Sequence, residues 1–183
     1  GIAIPEVVVK VVASGGTELP PGQVGELVAS GPNIMLGYWQ DPESSSKVLD
    51  ADGCYHTGDL GYMDEEGFLY LTGRQDDLIK VGGHRINPHE IEDVLMETGF
   101  VIEAAVLGIK DEMLGNRLYA LIALKDKDSA ENDVQMLQNR CAEHLPRNKL
   151  PSGIAFCRSL PKNNSGKVDR RKCLEILQRS IEN

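Results

Sequence analysis

The sequence predicts an α+β fold in two parts, a β-rich subdomain over residues 1–75 and a small α+β domain over residues 76–183. Short β-branched runs separated by Gly- and Pro-rich turns fill roughly the first 70 residues. After about Arg74, strand-like and helix-like patterns alternate. The total of 183 residues fits one domain, or two small ones, at roughly 150 residues per domain.

Local signals define the elements of the first part. Asp41 can cap a helix that has Pro42 in its first helical position. The acidic turn over residues 64–67 (DEEG) predicts a hairpin between its two flanking segments. The expected strands and hairpin arms are residues 6–12, 25–30, 61–64 and 67–72.

The second part opens with a helix for which Asn87 is the predicted cap and Pro88 the first residue. Its apolar face would include Ile91 and Leu95. The remaining expected strands are residues 101–109, 117–124 and 150–158, and the remaining expected helices are residues 132–144 and 170–181.

Composition excludes several classes of protein. The formal net charge is −9, which argues against bulk nucleic-acid binding because that requires a basic face. No apolar run reaches the ~18 residues of a membrane helix. The opening lacks a signal-peptide pattern and an initiator Met, so we expect a fragment. Four widely spaced cysteines without a C-x-x-C pair indicate reduced thiols in a cytoplasmic protein, with no metal site.

Three segments combine glycine with charge and are the candidates for chemistry. Asp59 follows a small turn, where a carboxylate can accept two hydrogen bonds from a diol such as ribose. Arg74 ends a strand, and its planar fork suits a ribose or phosphate oxygen. Gly82 and Gly83 let backbone N–H groups approach a ligand, and Lys167 can deliver an ammonium to an anion. The segments are residues 55–60 (YHTGDL), 73–92 (GRQDDLIKVGGHRINPHEIE) and 160–170 (LPKNNSGKVDR).

Each of these residues also has an ordinary structural interpretation. Asp59 alone is more often a turn residue, Asp76 a solvated loop residue or cap, and Lys167 a surface charge. The glycine pair alone is usually a hairpin or a bulge. Only the combination indicates nucleotide and phosphate chemistry, and it does so without a P-loop motif.

The order and spacing of these motifs resemble the adenylate-forming enzymes, which comprise acyl-CoA synthetases, peptide-synthetase adenylation domains and luciferases. Residues 57–60 (TGDL), 73–92 and 165–170 (SGKVDR) match the motifs of that family, and the resemblance runs from about Val24 to Leu174. It implies that residues 1–75 end a large N-terminal domain and that residues 76–183 form a mobile C-terminal lid.

The resemblance also implies a reaction. Such enzymes join a carboxylic acid to ATP, giving an acyl-adenylate and pyrophosphate, and most then transfer the acyl group to a thiol and release AMP. Asp59 would hold the ribose hydroxyls, and Arg74 would contact the nucleotide. Asp76 would be the hinge, and Lys167 the catalytic lysine that approaches the acid and the α-phosphate.

For the thiol step, the resemblance implies that Gly82, Gly83, His84 and Arg85 face the pantetheine of CoA or of a carrier protein. Lys149 lies where some CoA ligases place a cation near the CoA nucleotide. The upstream N-terminal domain would bind most of the ATP and Mg²⁺, so the fragment alone is expected to be inactive. Two alternatives stay open: a loading domain of a peptide or polyketide synthetase, and a non-catalytic nucleotide-sensing or interaction module.

Overall fold

The computed structural model describes residues 1–125 and 130–182. The chain divides into two compact units, Gly1–Asp76 and Asp77–Asn183. Within the described residues, nine strands form three sheets and four α-helices accompany them. The predicted α+β class is therefore confirmed.

The first unit is built on one antiparallel sheet with the strand order β1-β2-β3-β4. Its elements are β1 (Val8–Val12), β2 (Gly25–Ser30), α1 (Pro42–Val48), β3 (Tyr55–Met63) and β4 (Leu69–Arg74). The predicted cap is confirmed, since Asp41 Oδ1 accepts a hydrogen bond from Ser44 N at 2.9 Å. The expectation that the third strand begins at Gly61 was wrong, because pairing with β2 extends β3 back to Tyr55.

The second unit contains a two-stranded hairpin and a three-stranded sheet. Strands β7 and β8 are antiparallel, and β9 joins β8 in parallel. The strand expected over residues 150–158 is shorter, Gly153–Cys157, because only these residues pair with β8. The elements are β5 (Ile79–Val81), β6 (His84–Ile86), α2 (Pro88–Met96), β7 (Val101–Asp111), β8 (Gly115–Leu124), α3 (Ala130–His144), β9 (Gly153–Cys157) and α4 (Arg170–Glu182).

The three-stranded sheet is buried on both faces. Alternate residues of β7 belong to different apolar clusters: Val106 packs with the cluster that includes Leu95 of α2 and Leu137 of α3. Its neighbour Leu107 packs with the cluster that includes Leu177 of α4. Because side chains alternate along a strand, α2 and α3 cover one face and α4 covers the other. This packing fixes where α4, and the loop before it, lie on the sheet.

Candidate functional site

The TGD motif forms a bulge in β3. On β2, Glu26 pairs with Leu60 of β3 and Val28 pairs with His56. Between these two pairs, the single residue Leu27 lies opposite three residues of β3. The motif residue Thr57 stabilises this arrangement: its hydroxyl donates to Leu27 O at 2.7 Å and accepts from Asp59 N at 3.0 Å. Bulges are common beside functional sites, where they change the direction of a side chain, and Asp59 is one of the three residues in this bulge.

Glu26 supports the same bulge from β2, a role that the sequence reasoning missed. Its Oε1 accepts a hydrogen bond from Gly58 N at 3.2 Å, and its Oε2 lies 3.1 Å from His56 Nδ1. The second ring nitrogen of His56 lies 3.8 Å from Asp50 Oδ2. The positive φ of Gly58, 70°, is why glycine suits the centre of the motif.

Asp59 and Arg74 are direct register partners on β3 and β4. Arg74 Nη1 lies 3.0 Å from Asp59 Oδ1, and Arg74 Nη2 donates to Thr57 O at 3.3 Å. The Asp59 side chain is 35% exposed, so a ligand can reach it. No ion pair or hydrogen bond among the described residues uses Asp59 Oδ2. The structure thus brings together the two predicted nucleotide-binding residues and leaves one carboxylate oxygen as an acceptor.

Gly82 and Gly83 form the two-residue turn of the β5–β6 hairpin. Their φ values are +54° and +84°, the combination that a type I′ turn requires. Gly82 N donates to Leu114 O at 2.8 Å, which fixes the turn against the β7–β8 connection. His84 and Arg85 follow the turn and are both exposed. The hairpin therefore presents the four residues predicted to face pantetheine.

Lys149, the other residue predicted for the thiol step, has a carboxylate partner within the chain. Its ammonium forms an ion pair with Glu90 of α2. No local pattern predicts this contact, since the two residues are 59 positions apart.

Lys167 lies in a tight loop before α4 that Asn163 organises. Asn163 Oδ1 accepts from Ser165 N and Lys167 N, both at 3.0 Å. Backbone bonds close the loop, with Asn163 N donating to Lys167 O at 2.8 Å and Gly166, at a φ of +79°, in the turn. Lys167 is exposed, and within residues 1–125 and 130–182 its ammonium has no ion-pair partner. The loop holds the backbone of this lysine while its charge stays available.

The second unit contains a buried carboxylate, Glu92 of α2, that contacts side chains from distant parts of the sequence. Glu92 is 5% exposed, and Arg170 Nη2 donates to both of its oxygens, at 2.9 and 3.1 Å. His89 Nδ1 lies 2.8 Å from Glu92 Oε2. Burial alone would raise the pKa of Glu92, but His89, Arg170 and the Val106 N–H together lower it. The hydrogen bond with Glu92 raises the pKa of His89.

Two further properties bear on function. In the part of the chain that the structure describes, no group of three or more His, Cys, Asp or Glu side chains is placed to hold a metal ion. None of the described helices is long and apolar enough to cross a membrane.

The amino-acid sequence is similar to those of known proteins. Residues 90–167 match the family model of the AMP-binding enzyme C-terminal domain. A long-chain-fatty-acid–CoA ligase of Salmonella typhimurium is 36% identical over the whole chain, which covers 32% of that relative. A 2-succinylbenzoate–CoA ligase of Geobacillus kaustophilus is 39% identical over 90% of the chain and 33% of its own length. The chain thus spans about a third of the length of these curated relatives.

Solved structures show the same likeness. The crystal structure of ATP-bound MatB from Rhodopseudomonas palustris superposes with a TM-score of 0.87 at 33% identity, over 96% of this chain and 35% of that one. The o-succinylbenzoate CoA synthetase MenE from Bacillus subtilis, in complex with its acyl-adenylate intermediate, gives a TM-score of 0.81 at 34% identity over 93% of this chain and 34% of that one. Over its whole length the chain is therefore similar to adenylate-forming enzymes, and its residues 90–167 match the C-terminal domain of the AMP-binding enzymes.

Proposed function

We propose that the full-length protein containing this chain is an AMP-forming acid–thiol ligase. In the first step a carboxylate oxygen attacks the α-phosphorus of ATP, and pyrophosphate leaves. In the second step a thiol attacks the acyl carbon, its proton is released, and AMP leaves with the bonding electrons. The names of the relatives, which are CoA ligases, support this reaction class.

The observation that carries the proposal is that the Lys167 ammonium is exposed and has no ion-pair partner in the part of the chain that the structure describes. Adenylation brings a carboxylate onto a phosphate, so two anions must approach each other and a cation must neutralise them. A charge-stabilising contact of this kind acts in the transition state, where its removal costs ~10²–10³ in rate. An ammonium already occupied by a neighbouring carboxylate would be less effective, and Lys167 has no such neighbour among the described residues.

The first unit would contribute the nucleotide contacts. Asp59 Oδ2 is available to accept hydrogen bonds from the ribose hydroxyls, while Arg74 holds Oδ1 and keeps the carboxylate oriented. Arg74 would also offer its remaining N–H groups to the nucleotide. Asp76, the last residue of the first unit, would act as the hinge about which the second unit rotates between the two steps, as such two-step enzymes require.

The thiol step would use the β5–β6 hairpin and the cation at Lys149. Gly82 and Gly83 have no side chain that would obstruct pantetheine, and Arg85 offers a cation to the CoA phosphates. Lys149 would exchange its Glu90 carboxylate for a CoA phosphate. We favour CoA over a carrier protein because the named relatives use CoA. The remaining proposed components are the N-terminal domain, a carboxylic acid, Mg²⁺ bound outside these residues, and a cytoplasmic location where ATP and CoA are supplied.

The test is carboxylate-dependent ATP–pyrophosphate exchange by the full-length protein over a panel of acids. We expect exchange with at least one acid and a loss of ~10²–10³ in Lys167→Ala. Lys47→Ala is the matched control, because it removes an exposed lysine of α1 that pairs with Glu43 and that we assign to neither step. The 183-residue chain alone is expected to show no exchange.

The outcomes separate the alternatives. Exchange followed by thioester formation on a carrier protein but not on CoA would identify a loading domain. Absence of exchange with every acid, in a folded wild-type protein that still binds ATP, would favour a non-catalytic nucleotide-sensing module. Exchange that survives Lys167→Ala would retain the enzyme class and refute the role of this lysine.

A further inference from the structure

The loop that carries Lys167 is attached at both of its ends to the three-stranded sheet of the second unit. At the first end, Glu103 of β7 is the anchor: its Oε2 accepts from Leu160 N at 3.2 Å, and its Oε1 lies 2.7 Å from Lys162 Nζ. The hydrogen bond from Lys162, together with that from the Leu160 N–H, lowers the pKa of the Glu103 carboxyl. This anchor is partly exposed, since the Lys162 side chain is 51% accessible.

The second end is anchored in the interior. Arg170 is the first residue of α4 and lies three positions after Lys167. Its guanidinium binds both oxygens of the buried Glu92 and also donates to Val106 O at 2.9 Å. Glu92 Oε1 accepts from Val106 N at 2.7 Å. The fork of one arginine thus locks the start of α4 to α2 and to the middle of β7.

The same carboxylate reaches toward the predicted hinge. His89 binds Glu92 through Nδ1, and its Nε2 lies 3.7 Å from Asp77 Oδ2. Asp77 directly follows Asp76 in the chain. Removing two opposite charges from water offsets much of the attraction between them, so a buried pair adds little net stability over apolar packing. The Glu92–Arg170 pair instead provides a defined geometry. Together with His89, it connects Asp77 to the loop that carries Lys167.

We propose that Glu92 is a positioning residue for adenylation: by holding Arg170 it fixes the Lys167 loop, and through His89 it links that loop to the segment beside the hinge. This inference rests on the proposed function and specifies how the protein keeps its lysine in place. Glu92 is too buried to meet a substrate. It acts only through Arg170 and the loop.

The experiment measures each half-reaction of the full-length protein in Glu92→Gln and Arg170→Lys. Adenylation is followed by ATP–pyrophosphate exchange, and thiol transfer by thioester formation from supplied acyl-adenylate and CoA. We expect each variant to lower the kcat of adenylation ~10-fold, since misplacement of a catalytic group by about 1 Å can cost up to ~10²-fold. The KM for ATP and the thiol-transfer rate should stay at wild-type values.

A double-mutant cycle with Lys167→Ala distinguishes positioning from a general structural effect. In the Lys167→Ala background, Glu92→Gln should cause no further loss, because the group that it positions is already absent. Glu97→Gln is the matched control: it removes the exposed ion pair of Glu97 with Arg140 near the end of the same helix and leaves the loop untouched.

Three results would overturn the proposal while leaving the proposed function standing. One is full exchange activity in a folded Glu92→Gln protein. Another is an equal loss in both half-reactions, which a general structural effect would cause. The third is a further loss of adenylation activity when Glu92→Gln is added to Lys167→Ala, as large as the loss that Glu92→Gln causes in the wild type. If Glu92→Gln does not fold, Arg170→Lys tests the proposal by the same criteria. It keeps the positive charge and loses only the planar guanidinium that binds Glu92. Absence of exchange in the wild type would instead refute the proposed function itself.

Discussion

Thr57→Val tests whether one hydroxyl holds the bulge that presents Asp59. Valine keeps the branched shape of threonine but can neither donate to Leu27 O nor accept from Asp59 N. A typical hydrogen bond contributes about 1 kcal/mol net, so losing two should lower the free energy of unfolding by about 2 kcal/mol. For a chain of this size each kcal/mol corresponds to about 2–4 °C, which predicts a melting temperature about 4–8 °C lower.

Thermal unfolding of the 183-residue chain measures this loss, with Thr57→Ser as the control because serine retains the hydroxyl. Amide hydrogen exchange adds a local readout, since the Asp59 N–H loses its partner only in the valine variant. In the full-length protein, the KM for ATP should rise in Thr57→Val and not in Thr57→Ser. The reasoning fails if the valine variant melts with the wild type and the Asp59 amide exchanges at the wild-type rate.

The other predictions concern the second unit. Ile122→Ala removes a fully buried side chain and should cost about 2–5 kcal/mol in a urea titration, whereas Ile102→Ala, at a 53% exposed position, should stay within about 0.5 kcal/mol. Burial opposes ionisation of Glu92, but hydrogen bonding and charge lower its pKa below 4.5. The stability that ionised Glu92 contributes is therefore present above pH 4.5 and is lost as the pH falls through the lowered pKa. The hydrogen bond with Glu92 raises the pKa of His89 above 6.5. The stability that protonated His89 contributes is therefore present below pH 6.5 and is lost as the pH rises through the raised pKa. The melting temperatures of the wild type and His89→Gln should diverge on the acid side of that pKa. Burial raises the pKa of the Cys141 thiol to about 11, and iodoacetamide should label it at neutral pH only when the protein is unfolded, as mass spectrometry would show.

Features that depend on neighbouring residues were predictable from the sequence. Asp41 and Asn87 were identified as helix caps, and both accept the expected backbone N–H, from Ser44 and His89. The strand over Gly25–Ser30 has the predicted bounds. In each case the signal lies within a few residues, where capping chemistry and turn residues decide the conformation.

Features that depend on distant residues were not predictable in this way. The sequence placed Asp59 after a turn, whereas it lies within a strand, because the bulge exists only against Leu27 of β2. The contact of Lys149 with Glu90 and that of Arg170 with Glu92 span 59 and 78 positions. No local pattern encodes such pairings, since each depends on how the sheets and helices pack. Local chemistry indicated Asp59, Arg74, Gly82, Gly83 and Lys167 as candidates, whereas Asp76, His84, Arg85 and Lys149 came from the resemblance. The roles of all these residues stay predictions.

The mixed strand directions of the second unit's sheet have a consequence for how the chain folds. Strands β7 and β8 are neighbours in sequence and joined by a short turn, so their pairing costs little loop entropy, while β9 pairs with β8 only after the chain has passed through α3. We expect the β7–β8 hairpin to form first; pulse-labelling in which β9 amides gain protection as early as those of β7 would contradict this order. Until β9 arrives, the free edge of β8 carries unpaired N–H and C=O groups that can pair with another chain. During synthesis Lys167 emerges after β9, so its loop reaches its place on the sheet only once the strand that covers this edge is available.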